Sequence, residues 1–170
     1  MGPARRSRPR YAVRVRNAPS FRVRPATAAD APAIAEQYAA LHRDQWEGGG
    51  GEPPHDDHEP DWLSEVVAAL DAPNIRTFVA EVEGLLIGTA RVELAERPYY
   101  RIADIRRVYV DAAWRRRGVA TRLMQVAEHA ARDGGAKEAR LSVVAENVGA
   151  LRLYETLGYG HFAIRLAKRI

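Results

Sequence analysis

Residues Trp114 to Leu123 read WRRRGVATRL, and the meaning of this arginine–glycine run decides the fold. An alternating segment precedes it, Ile102–Val110 (IADIRRVYV), with the two-residue period of a strand. Val119 to Arg132 follows with Ala120, Leu123, Ala127 and Ala130 on one helical face, and Asp133-Gly134-Gly135 ends it. The unit is therefore strand–loop–helix. Three readings of its loop compete: a nucleic-acid patch, a solvated helix end, or a cradle for phosphate. Amides in the first turn of a helix lack intrahelical partners, and the helix dipole adds positive potential there. An anion is favoured at that end. Gly118 allows close approach or a conformation that a Cβ forbids, and Ala120 keeps the approach open. Arginines add guanidinium charge for phosphate oxygens. A diphosphate fits this arrangement, although arginine runs alone are also common on solvated turns. Neither G-x-x-x-x-G-K-S/T nor G-x-G-x-x-G occurs at this loop, so the known mononucleotide and dinucleotide fingerprints do not explain it.

Outward from this unit, the chain alternates strands and helices. Phe21–Arg24 reads as a first strand, and Thr27 to Asp30 as a capping-box start in which the Thr27 hydroxyl caps an amide near Asp30. A helix is expected from there to about Leu41, with Ile34, Tyr38 and Leu41 inward. Glu47–Pro60 (EGGGGEPPHDDHEP) breaks all periodicity and reads as a loop. Trp62, Leu63, Val66, Val67 and Leu70 restore helical spacing until Asp71-Ala72-Pro73 stops it. Thr77–Val82 and Leu85–Leu94 flank Glu83-Gly84 as a hairpin. Ala139–Ala145 alternates as a strand, Asn147 caps a short helix through Leu157, and His161–Ile170 reads as a closing strand. The order β-α-α-β-β-β-α-β-α-β predicts an α/β fold of the α+β type: a mixed sheet with helices on its faces.

Composition sets the limits. The 170 residues suit one domain, and the absence of cysteine excludes structural disulfides and a thiol nucleophile. No apolar run approaches the roughly 18–20 residues of a membrane span, and no secretory h-region follows the N-terminus. A cytoplasmic protein is expected. The net charge of +4 is concentrated: Arg5, Arg6, Arg8, Arg10, Arg14 and Arg16 lie among the first twenty residues, which contain no acid. The remainder is close to neutral. Residues 1–20 read as a disordered Arg/Pro-rich tail, either inert or touching RNA or an acidic surface.

The arginine–glycine loop also resembles a family motif. Arg115-Arg116-Arg117-Gly118-Val119-Ala120 matches Q/R-x-x-G-x-G/A, the acetyl-CoA loop of the GNAT superfamily of N-acetyltransferases. Arg107 to Asp111 resembles that family's cofactor-binding strand. Asn147-Val-Gly-Ala-Leu-Arg-Leu-Tyr154-Glu-Thr-Leu-Gly158-Tyr159 is similar to its N-x-x-A-x-x-L-Y-x-x-x-G-F/Y segment. The likeness spans 21–170. It implies a largely antiparallel sheet with one splayed parallel strand pair, and acetyl-CoA as acyl donor to an amine through a tetrahedral oxyanion. It further implies that Arg115, Arg116, Arg117, Gly118, Val119, Ala120 and Thr121 hold the pyrophosphate. Val108, Tyr109 and Val110 would line the pantetheine arm, and the backbone of this strand would polarise the thioester. Tyr154 would protonate the departing thiolate, and its alternative is a packed core tyrosine. Asn147 would hydrogen-bond the pantetheine or simply cap its helix. The family's base position falls on Asp104, which period two places on one strand face with Arg106, Val108 and Val110. Glu93 competes for that role.

The acceptor side is less defined. His55-Asp56-Asp57-His58-Glu59 contains metal-ligating types but no recognised ligand spacing. It reads as a solvated loop that could attract a cationic amine, and no metal is expected. Tyr99 and Tyr100 are candidates for another wall. The competing functions are an enzyme acetylating a primary amine, a non-catalytic acyl-CoA-binding module, and an RNA-associated protein acting through the tail. The final strand could also pair across a homodimer.

Overall fold

The computed structural model describes residues 20–47 and 60–163. The N-terminal tail (1–19), the His55–Glu59 cluster and most of the expected closing strand (164–170) lie outside the described residues. Five strands form one sheet: β1 (Arg22–Pro25), β2 (Ile75–Val82), β3 (Leu85–Glu96), β4 (Arg101–Val110) and β5 (Ala136–Arg140), in that spatial order. Every neighbouring pair is antiparallel except β4–β5. Helices α1 (Ala31–Glu47) and α2 (Trp62–Asp71) cover one face, while α3 (Val119–Asp133) covers the other. Side chains of α4 (Val148–Thr156) pack against the core on the α3 side.

Local chemistry explains the elements. Ala31, Ile34 and Tyr38 recur at helical spacing on α1, and Trp62, Val66 and Ala69 do so on α2. Both stripes meet Val79 and Leu86 of the sheet. On the opposite face Leu123, Met124 and Ala127 of α3 pack on Ala90, Val92 and Ile105. Each large side chain fully buried here stabilises the fold by about 1.5–3 kcal/mol. Asp61 caps α2 by accepting the Ser64 amide at 3.0 Å, which satisfies an end the helix cannot satisfy itself. Before α1, the Asp30 carboxylate accepts the Thr27 amide at 2.7 Å and the Thr27 hydroxyl at 2.9 Å. The reciprocal capping box expected of Thr27 and Asp30 is present. Asp30 also receives both ends of the Arg24 guanidinium, at 2.7 and 2.9 Å.

Two boundaries differ from the sequence expectation. Helix α1 continues past Leu41 to Glu47. The expected strand over Ala139–Ala145 is displaced: pairing runs through Ala136–Arg140 and stops. Just beyond that point β4 is irregular. Arg107 and Val108 together oppose the single residue Ala90, a β-bulge with Arg107 at φ +55°. Beyond Asp104, β4 no longer pairs with the chain on its parallel side, and a gap opens.

The bulge also changes which residues share a face. Ala103 and Ile105 point into the α3-side core before it, and Val108 and Val110 do so after it. Asp104, opposite Glu93 in register, therefore lies on the α1/α2 face. The expectation that Asp104 shares a face with Val108 and Val110 is overturned, because the extra residue shifts the alternation by one.

Candidate functional site

The gap beside β4 widens into an open cleft of about 1030 Å³. Val108, Tyr109 and Val110 form one wall, and Val144, Glu146 and Asn147 the opposite side. Arg115, Arg116, Gly118 and the first turn of α3 (Val119, Ala120, Thr121) close one end. Tyr154 and Leu153 of α4 reach the same space. Residues separated by more than forty positions in sequence thus converge on one concavity.

The loop geometry follows from two left-handed residues. Arg116 has φ +62° and Gly118 φ +80°, the kind of turn that builds concave amide surfaces for anions. Nothing lies within 4 Å of where a Gly118 Cβ would sit. The glycine is required by conformation rather than by space. Gly118 is the N-cap of α3 and no side chain caps that end, so first-turn amides face the cleft end without a side-chain acceptor. Arg115 lies across the mouth: its Nε donates to the Val110 carbonyl at 3.0 Å and its Nη2 meets Asp44 at 2.5 Å. Arg117 does not line the cleft; its guanidinium stacks over Trp114, 5.1 Å from the ring centroid.

Asn147 accepts the Ala150 amide at 3.1 Å and so caps α4 while lining the cleft. Tyr154 is half-buried, its ring 6.0 Å from that of Tyr159 in an edge contact. Burial raises the Tyr154 pKa above the ordinary phenol value, so the hydroxyl keeps its proton at neutral pH. Tyr109 is raised too, by burial first and then by the negative charges of Asp111 and Asp44.

The two candidate bases stand elsewhere. Asp104 and Glu93 do not line the cleft; they sit side by side across the β3–β4 ladder on the other face. Glu93 is occupied by Arg91 at 2.7 Å and Arg106 at 3.4 Å. Tyr99 and Tyr100 precede β4, about 25 Å along the strand from Val108. They form no wall of this cleft. Leu41, expected inward, lines it together with Asp44 and Gln45 of α1, and sequence reasoning missed the last two because apolar periodicity fades after Leu41. Among the described residues no cluster of three His, Asp or Glu could hold a metal, and no helix is long and apolar enough to cross a membrane. A smaller concavity of about 360 Å³, beside Arg76 and His129, gathers none of the motif residues.

The contents of the main cleft suit an acyl-CoA. Cationic and amide groups cluster at one end, apolar strand and helix side chains run along the gap, and a protonated phenol is present. An uncharacterized N-acetyltransferase of Methanocaldococcus jannaschii is 31% identical over 101 residues, which are 55% of this chain and 45% of that relative. The match therefore spans less than half the length of that protein. A Bacillus halodurans protein structure superposes with a TM-score of 0.78 at 17% identity, covering 87% of this chain and 98% of that one. A predicted acetyltransferase from Clostridium acetobutylicum, solved with acetyl-CoA, gives 0.70 at 17% identity over 88% and 96% of the two chains. The profile of the acetyltransferase (GNAT) family matches residues 35–159, and on that span the chain belongs to the GNAT acetyltransferase family.

Proposed function

We propose that the chain transfers an acetyl group from acetyl-CoA to a primary amine. The observation that carries this reading is the convergence of the β4 splay, the Gly118 turn and Tyr154 on a single cleft. Acetyl-CoA supplies an acyl group activated as a thioester, which a neutral amine attacks through a tetrahedral oxyanion. First-turn amides of α3 and Arg115 and Arg116 hold the diphosphate. Arg117 supports the same loop through its stack on Trp114. The β4 backbone from Val108 to Val110 pairs with the pantetheine arm and polarises the thioester carbonyl. Asn147 contributes a polar contact from the facing side.

Tyr154 donates its proton to the leaving thiolate. Its raised pKa keeps that proton available at working pH. The amine approaches from the α1/α2 face, where Asp104 takes its proton through water. Glu93 is the alternative base, although both its oxygens are engaged by guanidinium groups.

The test is thiol release from acetyl-CoA by the purified full chain against a panel of amines. Amine-dependent release that drops about a hundredfold in Tyr154→Phe supports the reading. CoA binding with no release across the panel, and no response to Tyr154→Phe, identifies a non-catalytic acyl-CoA-binding protein instead.

A further inference from the structure

The bulge that opens the cleft is itself held by an unusual contact. Arg107 is not glycine, yet it adopts φ +55° in the middle of a strand. Such a conformation persists only where the surroundings over-determine it. Here they do. The Arg107 guanidinium lies 5.1 Å from the Tyr38 ring centroid and 4.9 Å from that of Trp62. Tyr38 is fully buried and Trp62 nearly so. The same guanidinium makes three hydrogen bonds to the Glu65 carboxylate of α2, at 3.2, 3.0 and 2.9 Å. Arg91, buried on β3, adds a fourth at 2.8 Å. One carboxylate on α2 therefore ties together the two strands on either side of the bulge.

We propose that Glu65 and Arg107 are positioning residues of the acyl-transfer site: their ion pair, with the guanidinium packed against Tyr38 and Trp62, fixes the β4 bulge that sets the strand of Val108 and Val110 along the cleft. The inference rests on the acetyltransferase reading for its catalytic consequence and on geometry alone for the clamp. Neither residue touches the reacting atoms. The clamp also links helix α2 to the strand that grips the thioester. The phosphate loop lies beyond the far end of β4 and is joined to it by the Arg115–Val110 hydrogen bond.

The test uses the full chain with Glu65→Gln, Arg107→Gly and the double variant. Arg107→Gly keeps the left-handed conformation free of steric conflict while removing the clamp. Hydrogen exchange of the peptide spanning residues 104–111 is expected to quicken about tenfold in each variant. Turnover should fall about ten- to a hundredfold, while the Kd for CoA rises by a smaller factor. The double variant should lose less than the product of the two single losses, since both break a shared contact. Wild-type exchange and wild-type turnover in Arg107→Gly would overturn the proposal. So would losses of turnover that follow melting temperature and vanish on cooling. If the unaltered chain binds CoA but never releases thiol, the acetyltransferase reading fails, and the exchange measurement still decides the clamp.

Discussion

Gly88→Ala probes the join between the core and the cleft. Gly88 is buried on β3, opposite Val110 in register. A Cβ there would lie 2.7 Å from the Tyr109 carbonyl oxygen, 3.2 Å from Leu123 Cδ1 and 3.4 Å from Val110 Cγ2. Ordinary non-bonded separation is about 3.5 Å, so strand β4 must move by roughly half an ångström or more. Overpacking of this kind costs about 1–3 kcal/mol. At about 2–4 °C per kcal/mol for a chain of this size, the melting temperature should fall by roughly 2–12 °C. The nearest atom belongs to the backbone, so Leu123→Val should restore little of the loss. Because the displaced carbonyl lies between Val108 and Val110, CoA affinity should weaken along with stability. Thermal melts and calorimetric CoA titration of the single and double variants read both effects. A Gly88→Ala protein that melts within about 1 °C of the parent and binds CoA equally well would refute the reasoning, with its premise that this approach is sterically closed.

Three further outcomes follow from the same geometry. Tyr154→Phe should lower kcat about a hundredfold with KM for acetyl-CoA within about threefold, and stopped-time thiol assays check it. The phenol's raised pKa places any alkaline loss of kcat from its ionisation above pH 10, and that limb should be missing in the Phe variant. Gly118→Ala must hold a left-handed residue at about 1–2 kcal/mol, so CoA affinity should fall by about five- to thirtyfold, with Gly118→Asn milder; calorimetry ranks the three. Asp30 is held well below the usual carboxylate range, first by the Arg24 hydrogen bonds. Its folded pKa lies below its unfolded one, so its contribution to stability is complete above about pH 4 and fades as pH falls further. Asp30→Asn should lower denaturant stability at pH 7 by about 1–3 kcal/mol and flatten the acid limb, which urea melts across pH 2–7 measure.

The strand–loop–helix unit around Gly118 was legible because its signals are local: alternation, a glycine, then helical spacing. Asn147 and Tyr154 were legible for the same reason, lying at fixed offsets on one short helix. What escaped depends on contacts remote in sequence. The bulge hides inside IADIRRVYV, where adjacent arginines mask a change of phase from Ala103 and Ile105 to Val108 and Val110. Its consequence is that Asp104 moved to the other face. The alternation of 141–145 suggested pairing, yet the splay removes the partner strand there. Likewise, polar residues His42 to Gln45 gave no apolar rhythm, so the last turns of α1 and their cleft contacts went unread. The Glu65–Arg107 clamp joins positions forty-two residues apart, with no motif to mark it.

Hydrogen exchange of the full chain with and without acetyl-CoA tests the central claim most directly. The account predicts saturable protection in three segments: Val108–Val110, Arg116–Thr121 and Asn147–Tyr154. Peptides lining the smaller concavity at Arg76 and His129 should be unchanged. Protection confined to that concavity, or none in the three segments at saturating acetyl-CoA, would contradict the assignment of the cleft.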